Sequence, residues 1–233
     1  NILVASMALV VIARNGVLFL VAWEMMALAS FFLVTFEHEQ ATVQEAGWTY
    51  LVATHLGAAC VMVLFLLLGR QSGSLDFTGF TAPPAMASLL FFLAVVGFGS
   101  KAGIMPFHVW LPEAHPAAPS HVSALMSGVM IKTGIYGLLR VLTFLGPPPA
   151  WWGWLLCSLG LLSGVLGILF ALVQHDLKRL LAYSSVENIG IITFIGILTT
   201  ILTIFLFALI LLSLNSFFEG LLTSKDILLL SVV

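Results

Sequence analysis

The sequence predicts an all-α fold, a polytopic transmembrane bundle of about seven or eight helical spans with one broken helix near Lys101–Pro106. Three observations predict it. Of the 233 residues, 61% are hydrophobic and only 8% are charged, whereas about 25% of residues are charged in an average soluble domain. The apolar runs are continuous, as in spanning helices, and do not alternate as in membrane β-strands. Finally, the run 85–111 would be about 40 Å long as a straight helix, too long for an untilted span.

The first three helices follow from apolar runs that polar segments separate. We predict helices at 1–13, 17–35 and about 47–69. An acidic loop at 36–45 follows the second helix, and a polar loop with glycine and proline at 70–84 follows the third.

The fourth helix is the broken one. It begins near Ala85, and Lys101, Gly103 and Pro106 follow one another closely near its end. Proline removes one backbone hydrogen bond and breaks or kinks a helix. Because the apolar character continues to Leu111, we expect a helix that is broken at membrane depth.

The remaining elements are less evenly spaced. We predict a turn at 112–120, a helix at 121–145, and a helix at 151–174 whose leading tryptophans suit a membrane interface. A compact charged loop at 175–179 precedes the last helical region. The stretch 188–214 has no charged residue and is long for one span. Because the chain starts inside an apolar run without an initiator methionine, we interpret it as part of a longer protein.

Composition and charge exclude several classes of protein. The formal net charge is -2, so no basic stripe for nucleic acid is present. A disordered chain would be polar and rich in charge, and a soluble enzyme of this size could not cover its surface with polar groups. The expected surroundings are therefore a lipid bilayer.

Nothing in the sequence predicts a cofactor or metal in this chain. Cys60 and Cys157 lie inside apolar runs without a Cys-x-x-Cys pattern, which disfavours iron–sulfur, zinc and disulfide frameworks. A haem between two facing histidines is a weaker alternative, because lysine and glutamate, rather than histidine pairs, cluster at depth.

The chemistry is concentrated in ionisable residues near the middle of apolar runs, namely Glu24, Lys101 and Lys132. Each such charge costs about 2.5 to 3.5 kcal/mol to insert. One interpretation is structural: Glu24 and Lys101 form an ion pair, and Lys132 packs against backbone carbonyls. The interpretation that we favour is a proton or ion path.

The types of the buried cations support protonation chemistry. Lysine can exchange a proton, but arginine remains charged in practice. Both cations at depth are lysines, and the arginines outside the 175–179 loop lie at helix ends. We therefore predict a relay of Glu24, Lys101 and Lys132, with the Glu24–Lys101 pair as its switch.

The histidines offer further relay groups. His108 lies seven residues after Lys101, about 10 Å along a continuous helix and on the same face, which suits a step through water. Path and packing are equally good interpretations for His55. For His115 and His121, two interpretations are equally good: they continue the proton path, or they are polar groups at helix ends that face the lipid headgroups. Glu187 is a further candidate.

Three segments resemble one family. They are the stretch GFGSKAGIMPFHVWLPEAHPAAPSHVSALMSGVMIKTGIYGLLR from Gly97 to Arg140, VAWEMMALASFFLV from Val21 to Val34, and HDLKRLLAYSSVENIGII from His175 to Ile192. They resemble the antiporter-like proton-translocating subunits of respiratory complex I, Mrp-type cation antiporters and membrane-bound energy-converting hydrogenases. The first segment is most similar to the branch that includes formate hydrogenlyase and hydrogenase-4.

The resemblance implies roles for individual residues. Glu24 matches the family's essential glutamate, and Lys101 matches the lysine on the broken helix that pairs with it. Lys132 matches the connecting lysine on the next helix, and His108 matches a histidine of some members. Near the end the family has a histidine and a lysine four residues apart; this chain has Asn215 and Glu219 there.

The resemblance also implies an organisation in repeats. Residues 1–145 would be a partial first repeat that holds a proton half-channel. Residues 151–233 would begin a second, inverted repeat that is truncated.

The expected function is that of a proton-translocating membrane subunit of a redox-driven complex, either an energy-converting hydrogenase or formate hydrogenlyase, or an NADH:quinone oxidoreductase. Its partners would be other membrane subunits and, through them, hydrogenase or quinone-reductase subunits. It would hold no redox centre or other cofactor itself and would bind no nucleic acid. Alternatives are an Mrp-type sodium/proton antiporter subunit and a structural membrane anchor for a hydrogenase. We expect it in a bacterial or archaeal plasma membrane.

Overall fold

The computed structural model describes residues 1–196, which are helical apart from their connections and one isolated β-bridge between Asn15 and Asp76. The helices are α1 (Ile2–Ile12), α2 (Gly16–Val34), α3 (Ala41–Ser72), α4 (Pro84–Ala102), α5 (Leu111–Ala117), α6 (Ser120–Leu125), α7 (Ile131–Leu142) and α8 (Ala150–Val173). A π-helical turn, Met126–Met130, joins α6 to α7, and residues 177–196 are helical again. The all-α prediction is confirmed.

Five helices of the described part are long and apolar enough to span a membrane. They are Gly16–Val34, Ala41–Ser72, Pro84–Ala102, Ser120–Leu142 and Ala150–Val173. The predicted number of spans also includes the short α1 and the region from 177 onward. Asn215, Glu219 and the part of the predicted second repeat after 196 lie outside the described residues.

Three predicted boundaries are wrong. The predicted charged loop at 175–179 ends early, because the next helix already begins at residue 177. Helix α3 begins at Ala41, because the segment ATVQEA that we assigned to a loop contains no helix breaker and includes strong helix formers. The predicted turn 112–120 holds the short helix α5, since Pro112 lies in its first turn, where proline is tolerated. Pro116 falls in its last turn, and the helix ends at Ala117 because Ala118 is extended in front of Pro119.

Helix α4 lies at the centre of the described bundle and packs against α3 and α7. The close approach of α7 depends on Gly134, because a Cβ there would lie 2.7 Å from the Phe98 carbonyl oxygen and 2.8 Å from the Ala102 nitrogen. Aromatic rings of α2, α3 and α4 form the adjoining core, where Phe19 contacts Trp23, Phe65 and Phe98. This packing buries the C-terminal end of α4, where Lys101 lies.

Candidate functional site

The break predicted in the fourth helix is present and begins just after Lys101. Helix α4 ends at Ala102, and Gly103 follows with φ +74°, a left-handed conformation that favours glycine. The Ile104 N–H donates to the Gly99 carbonyl at 3.0 Å, the bond that closes a Schellman helix end. Lys101 therefore lies in the last turn, where the partial negative charge of the helix end favours a cation.

Groups outside α4 satisfy the backbone that the break exposes. The Met105 N–H donates to Ser163 Oγ on α8 at 2.9 Å, and the Trp110 indole N–H donates to the Ser100 carbonyl at 2.7 Å. Irregular backbone at membrane depth is tolerated only where protein or water supplies such partners. Both bonds therefore hold the break in place.

The Lys101 side chain is fully enclosed, with an exposed fraction of 1%. Its Nζ donates to Tyr50 Oη on α3 at 2.9 Å. It also lies 5.9 Å from the ring centroid of Trp23, within the range of a cation–π interaction. The Tyr50 hydroxyl and the Trp23 ring are thus the groups beside the amine.

The direct ion pair that we predicted between Glu24 and Lys101 is wrong. Glu24 Oε2 lies 3.5 Å from His55 Nε2, and these side chains are 38% and 45% exposed. Within residues 1–196 the other ion pair joins Glu113 and Arg179 at 3.3 Å. The hydrogen-bond partner of Lys101 is the Tyr50 hydroxyl. Glu24 therefore does not contact Lys101 and can act on it only through its charge.

Lys132 lies just after the π-helical turn and is half-buried. Its Nζ donates to the Ser127 carbonyl inside that turn, an acceptor that the wider turn makes available. The Ser127 hydroxyl meets the Ser185 hydroxyl at 2.7 Å. The lysine thus packs on a backbone carbonyl, as our structural interpretation expected, and lies beside a hydroxyl link to the helix at 177–196.

The other candidate groups lie at separate places. His108 is half-buried, and its ring centroid lies 6.4 Å from that of Tyr183. His115 is buried and its Nδ1 lies 2.7 Å from Ser123 Oγ, whereas His121 is exposed and Glu187 is half-buried. Within the described residues, His108 Nδ1 and His115 Nε2 are buried without a hydrogen-bond partner. Their roles in a relay stay predictions.

The charged segment 175–179, whose last three residues are helical, is tied to the segment after the break. Lys178 Nζ donates to the carbonyls of Pro116 and Ala118, at 3.1 and 2.9 Å. Arg179 pairs with Glu113 of α5. These contacts fix α5, which carries His115, against the start of the helix at 177–196.

Sequence reasoning missed Tyr50, the direct partner of Lys101. A signal was available, because the chain has only three tyrosines and a phenol inside an apolar run needs a hydrogen-bond partner. It also missed Ser163, which accepts from a backbone N–H 58 residues away, and Trp110, which donates to the Ser100 carbonyl across the break. In the described part of the chain, no three His, Cys, Asp or Glu side chains come together as metal ligands.

The model of one transmembrane family, described as NADH:quinone oxidoreductase/Mrp antiporter, matches residues 13–224. The chain belongs to this family. The family resemblance stated from the sequence is therefore confirmed, and the apolar helices place the chain in a membrane as an integral membrane protein.

Individual relatives agree with the family match. The chain is 50% identical over 198 residues to hydrogenase-4 component B of Escherichia coli (strain K12), covering 82% of this chain and 29% of that protein. It is 37% identical over 195 residues to formate hydrogenlyase subunit 3 of the same strain, covering 82% of this chain and 31% of that protein. The chain thus spans less than a third of the length of these relatives.

A solved structure shares the fold. In the Mrp complex from Dietzia sp. DQ12-45-1b, one chain matches 83% of this chain with a TM-score of 0.77 and 33% sequence identity. The match covers 22% of that chain. The likeness in fold thus extends to a chain of an antiporter complex, while the likeness to the hydrogenase branch is in sequence.

Proposed function

We propose that this chain forms a proton-relaying part of a membrane subunit in a redox-driven complex, of the hydrogenase or formate hydrogenlyase type or the NADH:quinone oxidoreductase type. The observation that supports it best is Lys101, an enclosed amine at a helix break with no carboxylate within 4 Å in residues 1–196. A structural ion pair would bring its two charges into contact. An amine whose direct partner is a hydroxyl suits a group that takes up and releases a proton.

In this proposal Glu24, Lys101, His108 and Lys132 carry the proton within one half-channel in 1–145. Glu24 acts on Lys101 through its charge, so a change at Glu24 alters the proton occupancy of the lysine. His55, His115, His121 and Glu187 are further candidates. Water at the break supplies the steps that the side chains do not span.

The whole protein would work beside other membrane subunits, and the redox centres would lie in hydrogenase or quinone-reductase subunits bound to them. Hydrogenase-4 component B and formate hydrogenlyase subunit 3 support this assignment by their similarity to the chain. This chain would need no cofactor, because its chemistry is proton transfer alone. The membrane would be a bacterial or archaeal plasma membrane.

The test is proton translocation by the full-length protein in its native complex, in sealed membrane vesicles. Lys101→Ala and Lys101→Arg should both lose translocation while redox turnover by the partner subunits is still measurable. Arginine is the matched variant, since it keeps the charge but does not release a proton. Translocation at the normal rate in both variants would contradict the proposal and favour a purely structural anchor.

A second candidate function is sodium/proton antiport. The likeness to a chain of the Mrp complex favours it. Sodium uptake driven by a membrane potential, in vesicles without a redox substrate, would support antiport. Proton movement that requires redox turnover would support the first proposal.

A further inference from the structure

Lys101 begins a line of hydrogen bonds that crosses three helices. Its Nζ donates to Tyr50 Oη on α3 at 2.9 Å, and Tyr50 Oη makes a short hydrogen bond with Ser30 Oγ on α2. Ser30 Oγ donates to the Met26 carbonyl at 2.7 Å. Lys101, Tyr50 and Ser30 are all enclosed by protein.

The direction of each bond follows from the number of protons available. In one arrangement the hydroxyl proton of Ser30 goes to the Met26 carbonyl, with the Ala27 carbonyl as a second acceptor at 3.0 Å, and Tyr50 donates to Ser30. The one hydroxyl proton of Tyr50 is then used, so its oxygen accepts from Lys101. In this arrangement every hydrogen bond is donated in the direction from Lys101 to Met26. This direction fits the charged state of Lys101, because an ammonium can only donate.

The same line can run in the opposite direction. A neutral amine offers a lone pair, which can accept the Tyr50 proton if Ser30 turns its own proton toward Tyr50. The Met26 carbonyl keeps the backbone N–H of Ser30 as its partner within α2. Lys101, Tyr50 and Ser30 each keep at least one hydrogen-bond partner in either direction, so reversing the line leaves none of the three side chains without a partner.

The Tyr50 ring is held in place independently of Lys101. It packs edge-on against Trp110 with ring centroids 5.1 Å apart, and Trp110 is itself bonded to the Ser100 carbonyl. The Tyr50 hydroxyl also lies 4.0 Å from Met130 Sδ in the π-helical turn. Only the hydroxyl protons have to move when the line reverses.

We propose that the hydroxyls of Tyr50 and Ser30 form a reversible adaptor that holds Lys101 at one place in both of its protonation states. Tyr50 is then a positioning residue for the relay, and the inference rests on the function proposed above. Proton exchange at Lys101 would require no swing of the side chain out of its aromatic surroundings. Neither Tyr50 nor Ser30 gives up its proton to the relay.

Other titratable groups on the elements around α4 also contribute to the dependence of the translocation rate on pH. Glu24 is the group whose charge acts on both Tyr50 and Lys101. The rest are on α3, on the segment after the break, and on α7, namely His55, His108, His115 and Lys132.

The first test compares Tyr50→Phe with Tyr136→Phe in the full-length protein within its native complex. Both changes remove one tyrosine hydroxyl and keep the ring, but Tyr136 donates to the Val11 carbonyl at an exposed site. We expect Tyr50→Phe to slow proton translocation by about tenfold, which equals about 1.4 kcal/mol, near the lower end for a hydrogen bond to a charged group. Tyr136→Phe should stay within about twofold of the parent, the range of surface changes.

The pH profile separates positioning from packing. If Tyr50 supports both states of Lys101, Tyr50→Phe should change the shape of the profile of rate against pH. An equal loss at every pH, or a rate like that of Tyr136→Phe, would overturn the inference.

The second test uses Ser30 and remains informative if Tyr50→Phe does not assemble. Ser30→Ala removes the proton that reverses the line and should change the same profile, whereas Ser30→Thr keeps the hydroxyl and should restore it. Equal profiles for Ser30→Ala and the parent would refute the adaptor. Normal translocation by Lys101→Ala would instead refute the proposed function itself, so the two failures are distinguishable.

Discussion

One of the two hydrogen bonds that hold the break after Lys101 comes from α8, and this bond can be tested directly. Ser163 Oγ accepts from the Met105 N–H at 2.9 Å and donates to the Leu159 carbonyl at 2.7 Å. Ser163→Ala removes the acceptor and leaves the Met105 N–H buried without a partner among the described residues.

The expected cost follows from the burial of this N–H. An unsatisfied buried donor costs about 1 to 3 kcal/mol, and each 1.4 kcal/mol is about a factor of ten in an equilibrium constant. The free energy of opening the break should fall by this amount. The Met105 amide should therefore exchange its hydrogen about 5 to 150 times faster than in the parent.

The assay is amide hydrogen exchange followed by mass spectrometry on the peptide that contains Met105, with the full-length protein in its complex. The matched control is Ser158→Ala on the same helix, because Ser158 Oγ donates only to the Leu155 carbonyl of its own helix at an exposed site. The control should leave exchange at Met105 unchanged. Equal exchange in Ser163→Ala and the parent would refute the view that α8 holds the break.

Three further predictions concern packing, the second lysine and the helix end. Gly134→Ala should lower the thermal unfolding midpoint, because a Cβ would meet backbone of α4, whereas Gly128→Ala, with nothing within 4 Å, should not; equal midpoints would contradict the packing argument. Lys132→Ala should leave assembly intact and reduce proton translocation, and Lys132→Arg should not restore it; normal translocation in both would exclude a relay role. Gly103→Ala should destabilise the end of α4 by roughly 1 to 2 kcal/mol, because its φ is +74°; an unchanged unfolding midpoint would show that the end relaxes without strain.

The sequence by itself determined much of the architecture. Continuous apolar runs predicted α2, α4 and α8 to within a few residues, because a spanning helix must satisfy its own backbone and present apolar side chains to the membrane. The closely spaced Lys101, Gly103 and Pro106 likewise predicted the broken helix. The positions of Lys101 and Lys132 within apolar runs also predicted that both lie near the middle of the membrane.

Only the tertiary structure decided which side chains of different helices contact each other. The sequence suggested that Glu24 and Lys101 pair, yet Lys101 contacts Tyr50 and Glu24 contacts His55. Contacts between helices depend on the rotation of each helix about its axis and on close approaches such as that at Gly134. The spacing of residues along one run encodes neither the rotation of a helix nor its closest approach to a neighbour. A buried polar side chain is stabilised by whichever hydrogen-bond partner the packing brings within reach, and for Lys101 that partner is the Tyr50 hydroxyl.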